Sequence, residues 1–142
     1  MNIKTAIAAL DAHGCSVAAA LADGRILTEN GHSVRPLFKL YGEHGAALCG
    51  AAVADKIIGK AAASVLVAAG AQEAFAYLMS ESGLLYLLRN GISASYAALV
   101  PFIENRTGTD LCPMEKLVDG CGDATECVRR IGDFIKHTPY PG

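Results

Sequence analysis

The sequence predicts a three-layer α/β/α sandwich around a mixed sheet of about five strands, and three observations predict this fold class. Short apolar stretches alternate along the chain with segments whose apolar residues recur at helical spacing. An Asp23-Gly24 pair lies between the first two apolar stretches, which is typical of a hairpin turn, so the sheet should open with an antiparallel pair. The later strands are joined by helices, and strands connected in this way run parallel.

The first half of the chain contains an amphipathic helix, the strand pair, a short helix and a buried strand. The first helix has an apolar stripe and ends before Gly14, and the short helix follows a loop that contains Gly31 and Pro36. The buried strand is small and apolar throughout, without the alternation of a half-exposed strand. These elements are expected at residues 2–12, 15–21, 26–28, 37–41 and 46–53.

The second half alternates helices and strands. The clearest helix has an apolar stripe that includes Ile58 and Leu66 and stops at Gly70. Gly59 inside this helix costs ~1 kcal/mol relative to alanine, so it should mark a close approach of another element or of a ligand. The expected helices are 54–69, 82–90, a turn near 100–104, 112–118 and 123–136, and the expected strands are 74–79 and 92–96. We predict one domain over residues 1–138 and a tail at residues 139–142.

Composition excludes several functional classes. Hydrophobic residues make up 52% of the 142 and charged residues 18%, which is typical of a compact globular domain. The net charge is −2 without a basic arm, so we expect no nucleic-acid binding. No apolar run approaches the ~18–20 residues of a membrane span, and no signal peptide is evident, so we expect a cytoplasmic protein. Alanine-rich helices favour a homodimer.

The most informative segment is residues 105–115, which combines a guanidinium, hydroxyls, carboxylates and a thiol. Pro113 and Glu115 indicate a helix start, and cysteine thiols at helix starts are often nucleophilic, so Cys112 is a candidate nucleophile or redox thiol. Arg106 nearby favours a thiolate, but Asp110 and Glu115 place negative charge close to it, and no histidine that could act as a partner base lies near Cys112 in sequence. The alternative is a buried cysteine that packs the helix start.

Further candidates surround the expected crevice at the carboxyl ends of the strands. Asp55 is a candidate acid–base or ligand-binding carboxylate, or else a helix cap. The Thr107-Gly108-Thr109 loop could bind an anion or be a plain turn, and it does not have the spacing of a P-loop, so we expect no cofactor. The predicted ligand-binding residues are Asn105, Arg106, Thr107, Gly108, Thr109, Lys60 and Ser82.

Three short motifs resemble an uncharacterised prokaryotic family of domains of unknown function. They are the Gly59-Lys60-Ala61-Ala62 segment, the Arg89-Asn90-Gly91-Ile92 turn, and Asn105-Arg106-Thr107-Gly108 with Cys112-Pro113-Met114-Glu115. The resemblance covers roughly residues 2–118. It implies a fold similar to that of cytidine and nucleotide deaminases, but it implies no reaction.

Zinc deaminases need H-x-E or C-x-E at one helix start and P-C-x-x-C at the next. We place the first of these helix starts at Val53-Ala54-Asp55, where valine stands at the ligand position and Asp55 at the glutamate position. The second begins with Ser80-Glu81-Ser82 and has no cysteine. A valine cannot bind zinc, so we predict a metal-free site. A zinc cluster of Cys112, Cys121 and Cys127 has unsuitable spacing.

These observations favour a protein that binds a small anionic or nucleotide-like molecule. It would act on this molecule, if at all, through Cys112 with Asp55 as proton carrier, and not by zinc-dependent deamination. The alternatives are a non-catalytic ligand-binding or regulatory module and a homodimeric interaction protein.

Overall fold

The computed structural model of the chain describes residues 2–105 and 107–137. The elements of this part follow one another in an order close to the predicted one. In chain order they are α1 (Asn2–His13), β1 (Val17–Ala20), β2 (Ile26–Glu29), α2 (Arg35–His44), a 3-10 turn (Gly45–Leu48), β3 (Ala52–Ile58), α3 (Lys60–Ala69), β4 (Glu73–Ser80), α4 (Glu81–Arg89), β5 (Ser93–Val100), α5 (Pro113–Val118) and α6 (Ala124–His137).

The strands form one five-stranded mixed sheet in the order β2-β1-β3-β4-β5. β1 is antiparallel to both β2 and β3, whereas β3, β4 and β5 are parallel. The hairpin between β1 and β2 turns at Asp23-Gly24, where Gly24 has a φ of +95° that favours glycine. The predicted fold class, including the opening antiparallel hairpin, is therefore confirmed.

Helices cover both faces of the sheet, but unequally. On one face α1 packs Ala6, Ala9 and Leu10 against small side chains of β1 and β3 such as Ala18 and Ala54. The other face carries the larger core, where α3 is buried almost all round. The alanines of β1 and β3 allow these helices to approach the sheet closely, because they present little side-chain volume.

The main correction concerns residues 46–59. The segment expected to be a strand at 46–53 begins with a 3-10 turn, and β3 continues to Ile58, so the helix expected to start at residue 54 starts at Lys60. The two isoleucines before Gly59 favour the extended chain. Gly59 lies at the N-cap of α3 in extended conformation and not inside the helix. Asp55 is therefore a strand residue, and helix capping does not explain it.

Smaller corrections follow from the same kind of boundary shift. The helical turn expected near 100–104 is extended, since β5 runs to Val100 and Glu104 bridges Leu111. The helix expected at 37–41 is longer, because Pro36 lies in its first turn and not in the preceding loop. Cys49 is exposed, and it lies between the 3-10 turn and the buried strand.

The side-chain alternation of β3 and β4 breaks near their carboxyl ends. Residues that share a face of a strand are normally separated by an even number of positions. Val53 and Ile58 are five positions apart, and Ala76 and Met79 are three positions apart, yet all four point into the larger core. Lys56 and Tyr77 are skipped in the pairing of the two strands. The break leaves Lys56 and the following Ile57 exposed at the end of β3, beside the buried Asp55.

Candidate functional site

A cavity of about 1040 Å³ lies at the carboxyl end of β3. Its walls come from the segment before α2, from the end of β3, from the start of α3, from residues 103–105 and 107, from the start of α5 and from α6. Ligands of open α/β sheets bind in this position, beyond the carboxyl ends of the strands. The cavity lies on the side of β3 that faces antiparallel β1, since Ser16 and Asp55 both line it.

Asp55 is the buried acid of this cavity. It lies opposite Val17 of β1 and is only 7% exposed. Its Oδ1 accepts a hydrogen bond from the Lys56 backbone N–H at 2.7 Å. Burial raises the pKa of the Asp55 carboxyl to about 7, against the opposing backbone hydrogen bonds from Lys56 and Ile57. Both protonation states are therefore populated near neutral pH, as a proton carrier requires.

Cys112 lies in the same cavity, at the N-cap of α5. Its thiol is half-buried, and its Sγ is 3.9 Å from the Oγ of Ser33. Ser33 precedes α2 and has a φ of +60°, a strained value for a residue with a side chain. In this conformation the Ser33 hydroxyl lies beside the thiol of a residue 79 positions away in sequence.

Glu115 lines the cavity and connects α5 to the start of α3. Its Oε1 accepts a hydrogen bond from the Lys60 backbone N–H at 2.8 Å, and its Oε2 accepts one from Ala61 at 3.0 Å. The carboxylate thus caps α3 from a distant helix, where the helix dipole favours negative charge. Burial raises the pKa of Glu115, although these two hydrogen bonds and the Lys60 charge lower it.

Gly59 shows why the predicted close approach occurs. A Cβ atom at Gly59 would lie 2.5 Å from the carboxyl carbon of Glu115. The approaching group is therefore a side chain of α5, one of the two possibilities that the sequence left open. The same glycine meets α4, because a Cβ at Gly83 would lie 2.9 Å from the Gly59 carbonyl carbon. The starts of α3 and α4 are consequently in direct backbone contact.

The loop of residues 105–110 is held largely by its own hydrogen bonds. The Asn105 Oδ1 accepts from the Thr109 backbone N–H at 3.0 Å and from the Thr107 hydroxyl at 3.2 Å. The Asn105 backbone N–H donates to the Asp110 carbonyl at 2.8 Å. Asn105 and Thr107 line the cavity, whereas Gly108 and Thr109 line a smaller neighbouring depression. Arg106 lies outside the described residues.

Lys60 and Ser82 do not line the cavity within the part of the chain that the structure describes. The Lys60 Nζ lies 5.7 Å from the centroid of the Tyr86 ring, a cation–π contact. The Ser82 Oγ is 3.2 Å from the Oγ of Ser80, which caps α4 by accepting the Gly83 N–H. Both side chains therefore have partners, Tyr86 and Ser80, that do not line the cavity.

The comparison with zinc deaminases needs a corrected alignment. The first relevant helix starts at Gly59-Lys60-Ala61, so Val53 and Asp55 do not occupy the ligand and glutamate positions assigned to them. The second starts at Ser80-Glu81 as expected. Neither start supplies a histidine or cysteine, and the described residues contain no group of three His, Cys, Asp or Glu side chains suited to a metal ion.

Several cavity residues were missed by the sequence analysis. Ser33 gave no signal, because its contact with Cys112 depends on the fold. Glu115 was recognised only as an acidic residue in a helix start, and Lys56 was not among the predicted ligand-binding residues. His32 and the aromatic Phe134 complete the set. Of these five residues, only Glu115 lies within a motif singled out in the sequence.

Comparisons with known proteins agree on one family. The model that matches the sequence describes a domain of unknown function (DUF1893) and covers residues 5–135. The crystal structure of a DUF1893 family protein (TM1506) from Thermotoga maritima is similar, with a TM-score of 0.84 and 28% sequence identity. The match covers 93% of this chain and 88% of that one. No curated protein matches the sequence.

Proposed function

Since the chain belongs to the DUF1893 family, whose domain has no known function, we propose that its cavity binds a small nucleotide-like molecule and acts on it through Cys112 and Asp55. One observation carries the proposal. A buried carboxyl with a pKa near neutrality and a half-buried thiol line the same cavity. Perturbed acids in clefts are concentrated at functional sites, whereas an acid that only stabilised the fold would not need burial beside a cavity.

The lining favours a flat heterocycle with a polar extension. Val34, Ile103, Met114 and Phe134 provide apolar and aromatic surface for the ring, and the Asp55 carboxyl can pair with its hydrogen-bonding edge. The Glu115 carboxylate already accepts hydrogen bonds from two backbone N–H groups, so we assign the pairing with the ligand to Asp55.

An anionic extension, such as a phosphate, would be met by side chains at the mouth of the cavity. Lys56 and His32 line the cavity and carry or can carry positive charge, and Asn105 and Thr107 offer hydrogen-bonding groups. The sequence adds Arg106 beside them. This distribution supports a ligand whose base lies inward and whose anionic end lies towards solvent.

The chemistry is the addition of a thiol to an electrophilic C=N carbon of the ligand. The sulfur of Cys112 forms a bond to that carbon while the C=N π bond breaks. The thiol proton passes to the Asp55 carboxylate and then to the ligand nitrogen, so that atoms and charge balance. Asp55 suits this transfer because it gains and loses a proton near neutral pH.

A relationship to the deaminase fold is part of the proposal. It is supported by two successive helices, α3 and α4, that start side by side at the ends of adjacent parallel strands. The Glu115 carboxylate caps the first of these starts and the Ser80 hydroxyl the second.

We also assign the protein to the cytoplasm, because its five cysteines lack a pairing pattern. No helix in the described residues is long and apolar enough to cross a membrane.

The first test is alkylation of the native protein, read by peptide mass spectrometry, with and without a panel of nucleosides and nucleotides. We expect Cys112 to react, and a ligand that fills the cavity to protect it. Cys49 is exposed and does not line the cavity, so its rate is the internal control and should not change. Protection of both cysteines, or of neither by any compound of the panel, would contradict the proposal.

The second test separates catalysis from binding. For a compound that protects Cys112, we expect Cys112→Ser to retain binding and to lose the covalent adduct, and Asp55→Asn to form the adduct slowly and without the pH dependence of the wild type. Binding by the wild type without adduct formation would instead establish the non-catalytic binding module.

A further inference from the structure

The two edges of the sheet differ sharply. β2 has four residues, it is flanked by charges, and its Glu29 pairs with Lys39 at 3.2 Å. β5 has eight residues, Ser93–Val100, without a charge or a proline. No strand among the described residues pairs with the outer side of β5. Proteins usually protect such an edge with charges, prolines, bulges or a cover, and β5 has no charge or proline to do so.

Apolar side chains continue this edge into one helix layer. Tyr96 and Leu99 pair with Ala76 and Met79 of β4, which point into the larger core, so they project towards the layer that contains α4. On α4 itself, Leu85 and Leu88 are exposed. These four side chains are between 38% and 53% exposed, although they lie side by side around one edge. We call these four residues with strand β5 the α4–β5 edge.

We propose that the α4–β5 edge is the interface with a second copy of this chain, paired about a two-fold axis perpendicular to the sheet. The axis passes beside the middle of β5, between the strand and its copy, so the two β5 strands pair antiparallel and the two sheets become continuous. The same rotation places α4 antiparallel beside its copy on one face. Leu85 and Leu88 of the two copies are then buried against each other.

The charges of α4 support a second copy as the occupant. α4 has one acidic residue, Glu81 in its first turn, and one basic residue, Arg89 in its last turn. Antiparallel packing places Glu81 of each copy opposite Arg89 of the other, so two ion pairs form. Neither residue takes part in an ion pair among the described residues. An unrelated strand could extend the sheet, but it would not supply opposite charges to both Glu81 and Arg89.

Charge reversal tests this arrangement by sedimentation equilibrium over micromolar to sub-millimolar concentrations. We expect a wild-type dimer and a loss of affinity of at least about tenfold for Glu81→Arg or Arg89→Glu, because like charges then meet twice. The double variant Glu81→Arg/Arg89→Glu should return affinity to within a few-fold of the wild type. Leu85→Glu should give monomers.

The matched control is Ile26→Glu, since Ile26 is similarly exposed but lies on β2 at the opposite edge. This variant should remain as dimeric as the wild type. Each exposed substitution should leave the circular dichroism spectrum unchanged, so dissociation is not confused with unfolding. A monomeric wild type, a double variant as dissociated as the single ones, or a dimer dissociated by Ile26→Glu would each overturn the proposal. The result does not depend on whether the cavity binds a ligand.

Discussion

Asp55 links the cavity to the stability of the protein. The carboxyl has a pKa of about 7 in the folded chain and an ordinary value of 3.8, so its ionisation is harder after folding than before. Below pH 3.8 the carboxyl is protonated in the folded and in the unfolded chain, so its ionisation does not change the free energy of unfolding. Between pH 3.8 and about 7 it is ionised in the unfolded chain and protonated in the folded one, so the free energy of unfolding falls as pH rises.

We therefore expect Asp55→Asn to stabilise the protein at neutral and alkaline pH. The gain should grow by about 1 kcal/mol for each pH unit from about pH 4 to about pH 7 and then level off, because the asparagine has no charge to bury. Urea unfolding of both proteins across this window measures it. A constant difference between the two would mean that Asp55 titrates normally in the folded chain.

Glu115 and Gly59 form a single contact, and this contact predicts non-additive mutations. Glu115→Ala removes two hydrogen bonds from a buried helix start and should cost about 1–3 kcal/mol. Gly59→Ala introduces a Cβ where the carboxylate lies, so it should expel the same side chain at a similar cost. The double variant should cost little more than either single one. Unfolding free energies of the four proteins form the cycle, and additive costs would show that the two residues act separately.

At the level of elements, Gly83 controls how closely α4 approaches α3. A Cβ at this position would lie 2.9 Å from the Gly59 carbonyl carbon and 3.1 Å from its oxygen, which are backbone atoms that cannot rotate away. We expect Gly83→Ala to destabilise the protein by about 1–3 kcal/mol, because the helices must separate.

The matched control is Gly42→Ala in α2. Nothing lies within 4 Å of a Cβ at Gly42, so the substitution should raise stability by about 0.5–1 kcal/mol through helix propensity. Thermal unfolding of both variants checks the pair of predictions. Equal effects of the two substitutions would indicate that α3 and α4 pack less closely than described.

The elements predictable from sequence are those whose signals are local. The Asp23-Gly24 turn and the Gly70 stop each lie next to the element that they delimit, and they were recognised. The start of α3 was placed six residues too early, because its cap is Glu115, a side chain 55 positions away. Periodicity cannot detect a cap that another helix supplies, so the spacing of Ile58 and Leu66 was assigned to one continuous helix.

The same distinction holds for the candidate site. Cys112, Asn105 and Thr107 were predicted to lie near Asp55, because loops at the carboxyl ends of parallel strands converge. The exclusion of Lys60 and Ser82 from the cavity depends on which way each side chain turns at a helix start. Ser33 could not be predicted, since its position against Cys112 follows from the path of the chain between β2 and α2.

At the scale of the whole molecule, the different positions of the strands in the sheet predict that their backbone amides exchange with solvent at different rates. β3 lies between two strands and beneath helices on both faces, whereas β5 is an exposed edge. We expect the β3 amides to exchange with solvent only by global unfolding and the outward amides of β5 to exchange much faster in dilute protein. Hydrogen exchange at two protein concentrations measures this, and slower exchange of β5 alone at the higher concentration is expected from the dimer. Uniform protection of both strands in dilute protein would contradict the prediction.

The cavity walls come from both ends of the sequence, and this has a consequence for biosynthesis. The sheet is complete with β5, which ends at Val100, whereas Ile103, Cys112, Glu115 and Phe134 all follow it. A ribosome therefore releases all five strands before it releases the residues that close the pocket. Until then Asp55 faces water, the first turn of α3 lacks its cap, and the nascent chain has no binding site to occupy. Ligand cannot act as a template for the folding of the sheet, and it can select only the finished protein.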